Sequence, residues 1–238
     1  MAQGEHDKPV CAVVGVGPGN GAAFARRFAS EGYAVALLAR SPDYPSALAA
    51  SIPGARAYAC DVSDEPSVER AFAAIASELG PVDVLIYNAG SGVWGNVEKV
   101  TSTDFEASWR VNALGAFVAS KAVIAGMKAK KHGDIVFIGA TASRRGNVMT
   151  AAFAPAKAAQ RSLAESMARH LWPQGIHVSL VVVDGVVESE RARSVRPDAP
   201  ANTLLKPDDV ADLVFALTQQ KPSAWSFEVE ARPFAEKW

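Results

Sequence analysis

Cysteine is scarce in this sequence of 238 residues, which contains only Cys11 and Cys60. Two cysteines cannot build a disulfide framework, and both lie in strand-like runs where small side chains are usually buried. The strand order predicted below places another strand between them, a separation of about 9–10 Å that a disulfide cannot span. We therefore expect two free, buried thiols and a fold that does not depend on disulfides.

Long apolar runs, grouped metal ligands and an excess of one charge are also absent from the sequence. The 24 Lys and Arg residues nearly balance the 25 Asp and Glu residues, so no overall field attracts nucleic acid or an anionic membrane. No uninterrupted apolar run approaches the ~20 residues of a membrane span, and the four histidines show no zinc-binding spacing. The polar tail of residues 1–8 lacks the features of a signal peptide. These absences predict a cytoplasmic protein with no metal site, no nucleic-acid partner and no membrane partner.

Short apolar runs alternate with longer amphipathic segments along the chain. The runs predict strands at 10–15, 33–39, 55–60, 82–87, 135–138, 176–183 and 225–229, and helices at 22–30, 64–79, 103–131, 151–172 and 207–218. This alternation is typical of a parallel sheet with helices on both faces. Because no Pro/Gly/Ser-rich linker interrupts it, we predict one doubly wound α/β Rossmann domain of three layers over residues 1–238, with strand order 3-2-1-4-5-6.

A glycine-rich turn follows the first predicted strand. Gly15, Gly19 and Gly21 have a GxxxGxG spacing, and Asn20 lies between the last two. Glycines at such positions permit a tight turn and let backbone N–H groups approach a pyrophosphate, while the next helix directs its N-terminus at the anion. The turn therefore predicts a dinucleotide site.

The end of the second predicted strand selects between dinucleotides. A carboxylate there would bind the ribose 2′-hydroxyl of NAD, but the sequence has Arg40. The planar guanidinium is a fixed cation that suits a 2′-phosphate. We therefore predict NADP(H) as the preferred cofactor, with NAD(H) as the alternative because Asp43 is near in sequence.

Five features, in order and spacing, resemble the short-chain dehydrogenase/reductase family over nearly the whole chain. They are the Gly15/Gly19/Gly21 turn, Asp61-Val62, Asn88-Ala89-Gly90, Asn112 and Lys157. The resemblance implies an NAD(P)-dependent oxidoreductase that acts on a small organic substrate and forms a homodimer or homotetramer.

The resemblance also implies roles for individual residues. Lys157 would hold the nicotinamide ribose, and Asn112 would hold a water molecule in a proton relay. Asp184 is a departure, because the family has proline before the glycine at this point. The positions implied to contact the cofactor are Gly15, Gly19, Asn20, Gly21, Arg40, Asp61, Val62, Asn88, Ala89, Gly90, Val111, Lys157, Gly185, Val187 and Ser189.

The catalytic motif departs from the family pattern at two positions. In the YxxxK motif the tyrosine position holds Phe153, and the serine position 13 residues earlier holds Ala140. Phenylalanine has no proton to donate, and proton transfer of this kind accelerates a reaction by about 10²–10⁴-fold. Thr141 and Ser143 are candidate hydrogen-bond donors, and Lys157 is a candidate acid that acts directly or through water.

Three interpretations follow from these departures. The first is an oxidoreductase with an altered proton donor, or with a substrate such as an iminium or activated alkene that needs no alcohol-type relay. The second is a nucleotide-binding homologue without redox activity that serves as a sensor or partner subunit. The third is a lyase or isomerase on the same scaffold, since a fold does not determine a function.

The segment 188–206 is predicted to be the substrate lid. Its arginines, Arg191, Arg193 and Arg196, attract an anionic substrate or simply lie in a solvated loop. Trp94 is a candidate substrate contact, whereas Trp109 is expected to pack. The aromatic residues near the C-terminus predict a second subunit interface: Trp225, Phe227, Phe234 and Trp238.

Overall fold

The computed structural model describes residues 8–235, so Trp238 and most of the tail 1–8 lie outside the described residues. The strands are β1 Val10–Val14, β2 Ala34–Ala39, β3 Ala55–Ala59, β4 Val82–Tyr87, β5 Gly133–Ala140, β6 Ile176–Val183, β7 Val186–Val187, β8 Leu204–Leu205 and β9 Glu228–Ala231. Seven of them form one sheet in the order β3-β2-β1-β4-β5-β6-β9, and every pairing in it is parallel. The structure therefore confirms the predicted doubly wound α/β fold and strand order.

The described residues form eight α-helices, six of which cover the two faces of the sheet. They are α1 Asn20–Ser30, α2 Asp43–Ser51, α3 Glu65–Glu78, α4 Ser102–Trp109, α5 Gly115–Lys130, α6 Phe153–Leu171, α7 Glu190–Val195 and α8 Pro207–Thr218. Helices α3, α5 and α6 bury their apolar side chains in one core, and α1, α2 and α8 bury theirs in the other. Because both faces are covered, the central strands are apolar at nearly every position, as the five buried residues of β1 show.

The long helix predicted at 103–131 is interrupted in the structure. Residues Arg110–Leu114 form a π-helical turn between α4 and α5. The Tyr87 hydroxyl at the end of β4 donates to the Val111 carbonyl at 2.6 Å, which anchors this turn to the sheet. The interruption depends on a contact between residues 24 positions apart, so helical periodicity does not reveal it.

The structure adds three smaller details to the predicted elements. Helix α2 was not predicted, because its short sequence contains proline and little apolar periodicity. The last strand begins three residues later than predicted, at Glu228. The predicted lid 188–206 contains the short helix α7 and strand β8, which pairs with β7.

One described helical stretch, Ser102–Lys130, is long and apolar enough to cross a membrane by length and composition. Half of its most apolar 18-residue window is buried inside the fold. Both cysteines are buried and free, and β2 separates β1 from β3 in the sheet. Within residues 8–235, no group of three His, Cys, Asp or Glu side chains is arranged to hold a metal ion.

Candidate functional site

The turn between β1 and α1 requires glycine where the backbone is crowded. Gly15 has φ +90°, and a Cβ on it would lie 2.5 Å from the Ala89 Cα. A Cβ on Gly21 would lie 2.8 Å from the Gly15 carbonyl oxygen, so this glycine lets α1 pack against the turn. Gly17 and Gly19 face open space instead. The turn is thus packed against the sheet on one side and open on the other.

The open side of the turn carries unpaired polar groups. Helix α1 begins after Gly19 without a side-chain cap. The Ala22 N–H donates to the Gly17 carbonyl at 3.1 Å, and the N–H groups of Asn20 and Gly21, which form no hydrogen bond among the described residues, favour an anion. The Asn20 Oδ1 is buried and has no hydrogen-bond partner among the described residues. A buried unpaired acceptor indicates a partner that the chain itself does not supply. These features fit the phosphates and amide of a dinucleotide.

A cavity of about 570 Å³ opens beside this turn, and we call it the glycine-turn cavity. Seven of the predicted cofactor-binding residues line it: Gly15, Arg40, Val62, Asn88, Ala89, Gly90 and Val111. Ser41, Tyr44, Cys60 and Ser91 also line it and were not predicted. The Asn88 side chain donates to the Gly15 carbonyl at 2.7 Å, which ties the loop after β4 to the turn.

Arg40 is the cation of the glycine-turn cavity. Among residues 8–235, its guanidinium forms no hydrogen bond or ion pair, whereas the nearby Asp43 carboxylate accepts from the Ser41 hydroxyl at 3.0 Å. Asp43 does not line the cavity. Asp61 also lies outside its lining, and its pKa is held below the usual range chiefly by the hydrogen bond from the Ser63 hydroxyl. The charge presented to a ligand here is positive.

A second cavity of about 300 Å³ adjoins the first through Asn88 and Gly90, and we call it the lysine cavity. Lys157 lines it but is only 4% exposed. The Lys157 Nζ donates to the Ile138 carbonyl at 2.9 Å and to the Gln160 Oε1 at 3.1 Å. Burial lowers the pKa of Lys157 to about 7. This amine therefore exchanges a proton near neutral pH.

Asn112 lies next to this lysine, in the π-helical turn. Its Nδ2 donates to the Ser91 and Ser108 carbonyls, each at 2.8 Å. Its Oδ1 is buried without a hydrogen-bond partner in the described part of the chain. A Cβ on Gly90 would lie 3.5 Å from that oxygen and 3.8 Å from the Lys157 Nζ. Both groups thus face the same small space beside Gly90.

Phe153 and Ala140, the two positions predicted to depart from the family pattern, line the lysine cavity, and neither side chain has a hydroxyl. The Phe153 ring centroid lies 6.0 Å from the Lys157 Nζ. The two predicted substitutes are engaged elsewhere and do not line the cavity: the Thr141 hydroxyl donates to Asp184, and the Ser143 hydroxyl accepts from the Ala140 N–H at 3.1 Å. The prediction that Thr141 donates to an oxyanion therefore conflicts with its bond to Asp184.

Asp184 belongs to a buried ion-pair network behind Thr141. Its carboxylate binds Arg232 and lies 3.3 Å from the Arg145 Nη2. Burial opposes ionisation of Asp184, but the Thr141 hydrogen bond and the charges of Arg145 and Arg232 together hold its pKa below the usual range. The network joins the end of β6 to the segment after β9 and fixes the wall next to Ala140.

A third cavity of about 380 Å³ adjoins the lysine cavity through Trp94 and Val187, and we call it the lid cavity. Its other lining residues come from the predicted lid and its approach: Val186, Ser189, Ala192, Val195 and Arg196. Arg193 instead bonds Glu188 and the Ala199 carbonyl. Trp94 lines both cavities and packs on Phe153 with a ring-centroid distance of 5.7 Å, and its role as a substrate contact stays a prediction.

The structure brings most predicted site residues to this row of three cavities but not all of them. Asn20, Gly185 and Val187 line the lysine cavity, and Ser189 both lines the lid cavity and caps α7 by accepting from the Ala192 N–H. Gln160 was missed, although a polar residue three positions after Lys157 on a helix lies on the same face. A further cavity of about 620 Å³ between α8 and β9 contains none of the predicted site residues.

Comparison with known proteins connects this arrangement to characterised sequences and structures. The sequence profile of a family described as short chain dehydrogenase matches residues 9–200. The 3-oxoacyl-[acyl-carrier-protein] reductase MabA of Mycobacterium bovis is 31% identical over 219 residues, which cover 89% of this chain and 85% of the relative. A Xanthobacter autotrophicus protein named inactive 2-(S)-hydroxypropyl-CoM dehydrogenase 2 is 32% identical, over 83% of this chain and 92% of its own.

Solved structures resemble the fold over almost the entire chain. An alcohol dehydrogenase from the archaeon Thermococcus sibiricus, complexed with 5-hydroxy-NADP, superposes with a TM-score of 0.87 and 26% identity. The similarity covers 97% of this chain and 99% of that one.

Proposed function

The chain belongs to the short chain dehydrogenase family, and we propose that it is an NADP(H)-dependent oxidoreductase with a non-standard active site. It transfers hydride to or from a small organic substrate. The observation that carries this proposal is the continuity of the glycine-turn and lysine cavities, which share Asn88 and Gly90. The two cavities form one cleft, with the glycine turn at one end and Lys157 at the other.

Different residues of the cleft bind different parts of the cofactor. The N-terminus of α1 and the open face at Gly17 and Gly19 hold the pyrophosphate, and Arg40 holds the 2′-phosphate. Asn20, Lys157 and the segment at Gly185 hold the nicotinamide half. When bound, the cofactor supplies or accepts the hydride. The T. sibiricus relative with its bound NADP derivative supports NADP(H), and NAD(H) remains the alternative.

The walls around Lys157 determine which substrates suit the site. Phe153 and Ala140 present apolar surfaces where the family has a proton donor and a carbonyl-polarising hydroxyl, and Trp94 adds a further apolar surface. A substrate whose carbon accepts hydride without a strong acid, such as an imine, iminium or activated alkene, fits this surface. An aromatic face also attracts a cationic substrate. The lid cavity, lined by Val186, Val187 and Val195, accommodates an apolar group.

A second candidate function is nucleotide binding without redox activity, as a sensor or partner subunit. The observation that favours it is the absence of a hydroxyl at both Phe153 and Ala140 in the lining of the lysine cavity. The X. autotrophicus relative, which is named inactive, supports the same candidate. A lyase or isomerase reaction on the same scaffold is a third candidate.

The deciding experiment measures NADPH binding and NADPH oxidation on the same preparation. Binding is followed by cofactor fluorescence, and oxidation by absorbance across panels of ketones, enones and imines. We expect turnover of at least one imine or activated alkene and little turnover of simple ketones. Tight NADPH binding with no turnover of any substrate class would contradict the oxidoreductase proposal and would favour the two non-redox candidates.

The same proposal includes the organisation of the chain. Residues 1–238 form one domain, and 188–206 form the lid over the lid cavity. Two copies associate through an exposed row of aromatic side chains on α4 and α5, which are 45%, 43% and 47% exposed: Phe105, Trp109 and Phe117. Trp109 was expected to pack rather than to line a pocket, and its 43% exposure leaves part of the side chain available to a partner.

A further inference from the structure

Gln160 connects the two catalytic positions that this chain shares with its family. Its side chain is fully buried on α6. Its Nε2 donates to the Asn112 carbonyl at 3.0 Å, and its Oε1 accepts from the Lys157 Nζ at 3.1 Å. Through these two hydrogen bonds, the buried Gln160 side chain restrains the positions of both Lys157 and Asn112.

The orientation of the Gln160 amide follows from its partners. The Asn112 backbone carbonyl can only accept a hydrogen bond, so the amide nitrogen must face it. The amide oxygen then faces Lys157, which always has N–H groups to donate. Gln160 therefore offers Lys157 a fixed acceptor in both of its protonation states.

Two acceptors of fixed position determine the orientation of the Lys157 amino group. Gln160 and the Ile138 carbonyl together engage both N–H groups of a neutral amine. The remaining tetrahedral direction holds a lone pair in the amine and a third N–H in the ammonium. A Cβ on Gly90 would lie 3.8 Å from the Nζ, in the small space that the unpaired Asn112 Oδ1 also faces. Only one position on Lys157 therefore changes on protonation.

We propose that Gln160 is a positioning residue for Lys157. By fixing the orientation of the Lys157 amine, it directs the one proton that the amine gains or loses to the reaction, in place of the missing tyrosine hydroxyl. The inference rests on the oxidoreductase function proposed above. In reduction, the substrate carbon takes the hydride carried by NADPH, and the electron pair of the broken double bond moves to the neighbouring atom. That atom takes the proton from the Lys157 ammonium, and solvent water then reprotonates the neutral amine.

The surroundings of Lys157 suit this role because, within residues 8–235, the groups that contact its Nζ carry no charge. Strand β5 contributes the Ile138 carbonyl, α6 contributes Gln160, and the π-helical turn and the loop after β4 contribute Asn112 and Gly90. Burial alone accounts for the lowered pKa of Lys157. A single new charge at position 160 should therefore have a large effect.

The test compares Gln160→Glu and Gln160→Leu by the pH titration of Lys157. The chain is labelled with [ε-¹³C]lysine, the Lys157 signal is assigned with Lys157→Arg, and spectra are recorded with NADPH bound and without it. Glutamate should raise the titration midpoint by about 1–3 pH units, because it adds an opposite charge at contact distance. Leucine should lower the midpoint, because the ammonium loses an acceptor.

Gln220→Leu is the matched control. Gln220 also makes two side-chain hydrogen bonds, both to Ser226, and does not line the lysine cavity. The Gln220→Leu substitution should leave the titration midpoint of Lys157 unchanged. With any substrate that is turned over, the pH profile of kcat should shift in the same direction as the midpoint, and Gln160→Leu should lower kcat by about 10–100-fold.

The outcomes separate this inference from the proposed function. Midpoints that do not move, or that move in the same direction in both Gln160 variants, overturn the positioning role. Absence of turnover by the wild type contradicts the oxidoreductase function, while the titration still decides whether Gln160 controls Lys157. Since glutamate preserves the shape of the side chain, that variant decides the question if the leucine variant does not fold.

Discussion

Among single residues, Phe153 and Ala140 leave their part of the lysine cavity lining without a hydroxyl group. We predict that Phe153→Tyr combined with Ala140→Ser raises ketone reduction by about 10²-fold or more, because it restores a proton donor and a polarising hydroxyl beside Lys157. Initial rates of NADPH oxidation with simple ketones measure the change. Phe153→Leu with Ala140→Ser is the control and should remain slow. A double variant that binds NADPH and stays inert would mean that these positions do not correspond to the family's catalytic pair.

We propose that Arg40, which lines the glycine-turn cavity, selects NADP(H) over NAD(H). Arg40→Asp should weaken NADPH binding by about 10–100-fold, since a hydrogen bond to a charged group contributes about 1.5–3 kcal/mol, and should leave NADH binding nearly unchanged. Fluorescence titration with both nucleotides gives the ratio. Arg70→Asp, an exposed substitution on α3 outside the glycine-turn cavity, is the control. An unchanged NADPH-to-NADH ratio would refute the role of Arg40.

The chemistry of these residues could be predicted from the sequence because it depends on the side chain itself. A guanidinium after β2 and a phenyl ring four positions before Lys157 have the same chemistry in any conformation. The engagement of Thr141 could not be predicted, because its partner Asp184 lies 43 residues away and is in turn fixed by Arg232. Gln160 was missed for a similar reason, since Asn112 lies 48 residues from it.

At the scale of elements, the start of α5 is more tightly packed than its middle. A Cβ on Gly115 would lie 2.5 Å from the Tyr87 hydroxyl and 2.6 Å from the Val62 carbonyl oxygen. The same Tyr87 hydroxyl anchors the π-helical turn through Val111. Close packing at Gly115 thus holds the turn that carries Asn112.

Two glycine substitutions on α5 should have opposite effects on stability. Gly115→Ala should lower the free energy of unfolding by about 1–3 kcal/mol through overpacking. Gly126→Ala, where the nearest atom would be the Pro81 Cβ at 3.6 Å, should raise it by up to about 1 kcal/mol through helix propensity. Urea unfolding of the two variants and the wild type measures both. Equal stability of the two variants would show that the space at Gly115 can relax.

The helices and strands themselves were largely predictable, because apolar periodicity reports which face of an element is buried. Their interruptions and ends were less so. The π-helical turn depends on Tyr87, and the start of β9 depends on pairing with β6 in the register Leu180 to Glu228. Neither partner is near in sequence, so local patterns do not contain the information.

At the scale of the whole molecule, the exposed aromatic row on α4 and α5 predicts self-association. Trp109→Glu should convert an assembly of at least two 25.0 kDa chains into a monomer, because it places a charge in an apolar interface. Light scattering at micromolar concentration measures the mass. Trp94→Glu is the control, because Trp94 is 61% exposed but lines the lysine and lid cavities. A wild-type chain that is already monomeric would contradict the prediction.

The C-terminal aromatic residues give less support for a second interface than the sequence suggested. Trp225 stacks on His177 with ring centroids 4.8 Å apart, and Phe227 packs against the core of its own chain. Only Phe234, at 89% exposure, is fully available among the described members of this group. Trp238 lies outside the described residues.

The fold class, the dinucleotide turn and the absence of hydroxyls at positions 140 and 153 could all be predicted from the amino-acid sequence. These properties depend on periodicity, backbone freedom at glycine and side-chain chemistry, all of which are local. The tertiary structure decided that Thr141 is bound to Asp184, that Gln160 joins Lys157 to Asn112, and that Trp109 faces outward. Such contacts join residues far apart in the chain, so the packing of the sheet and helices is needed to specify them.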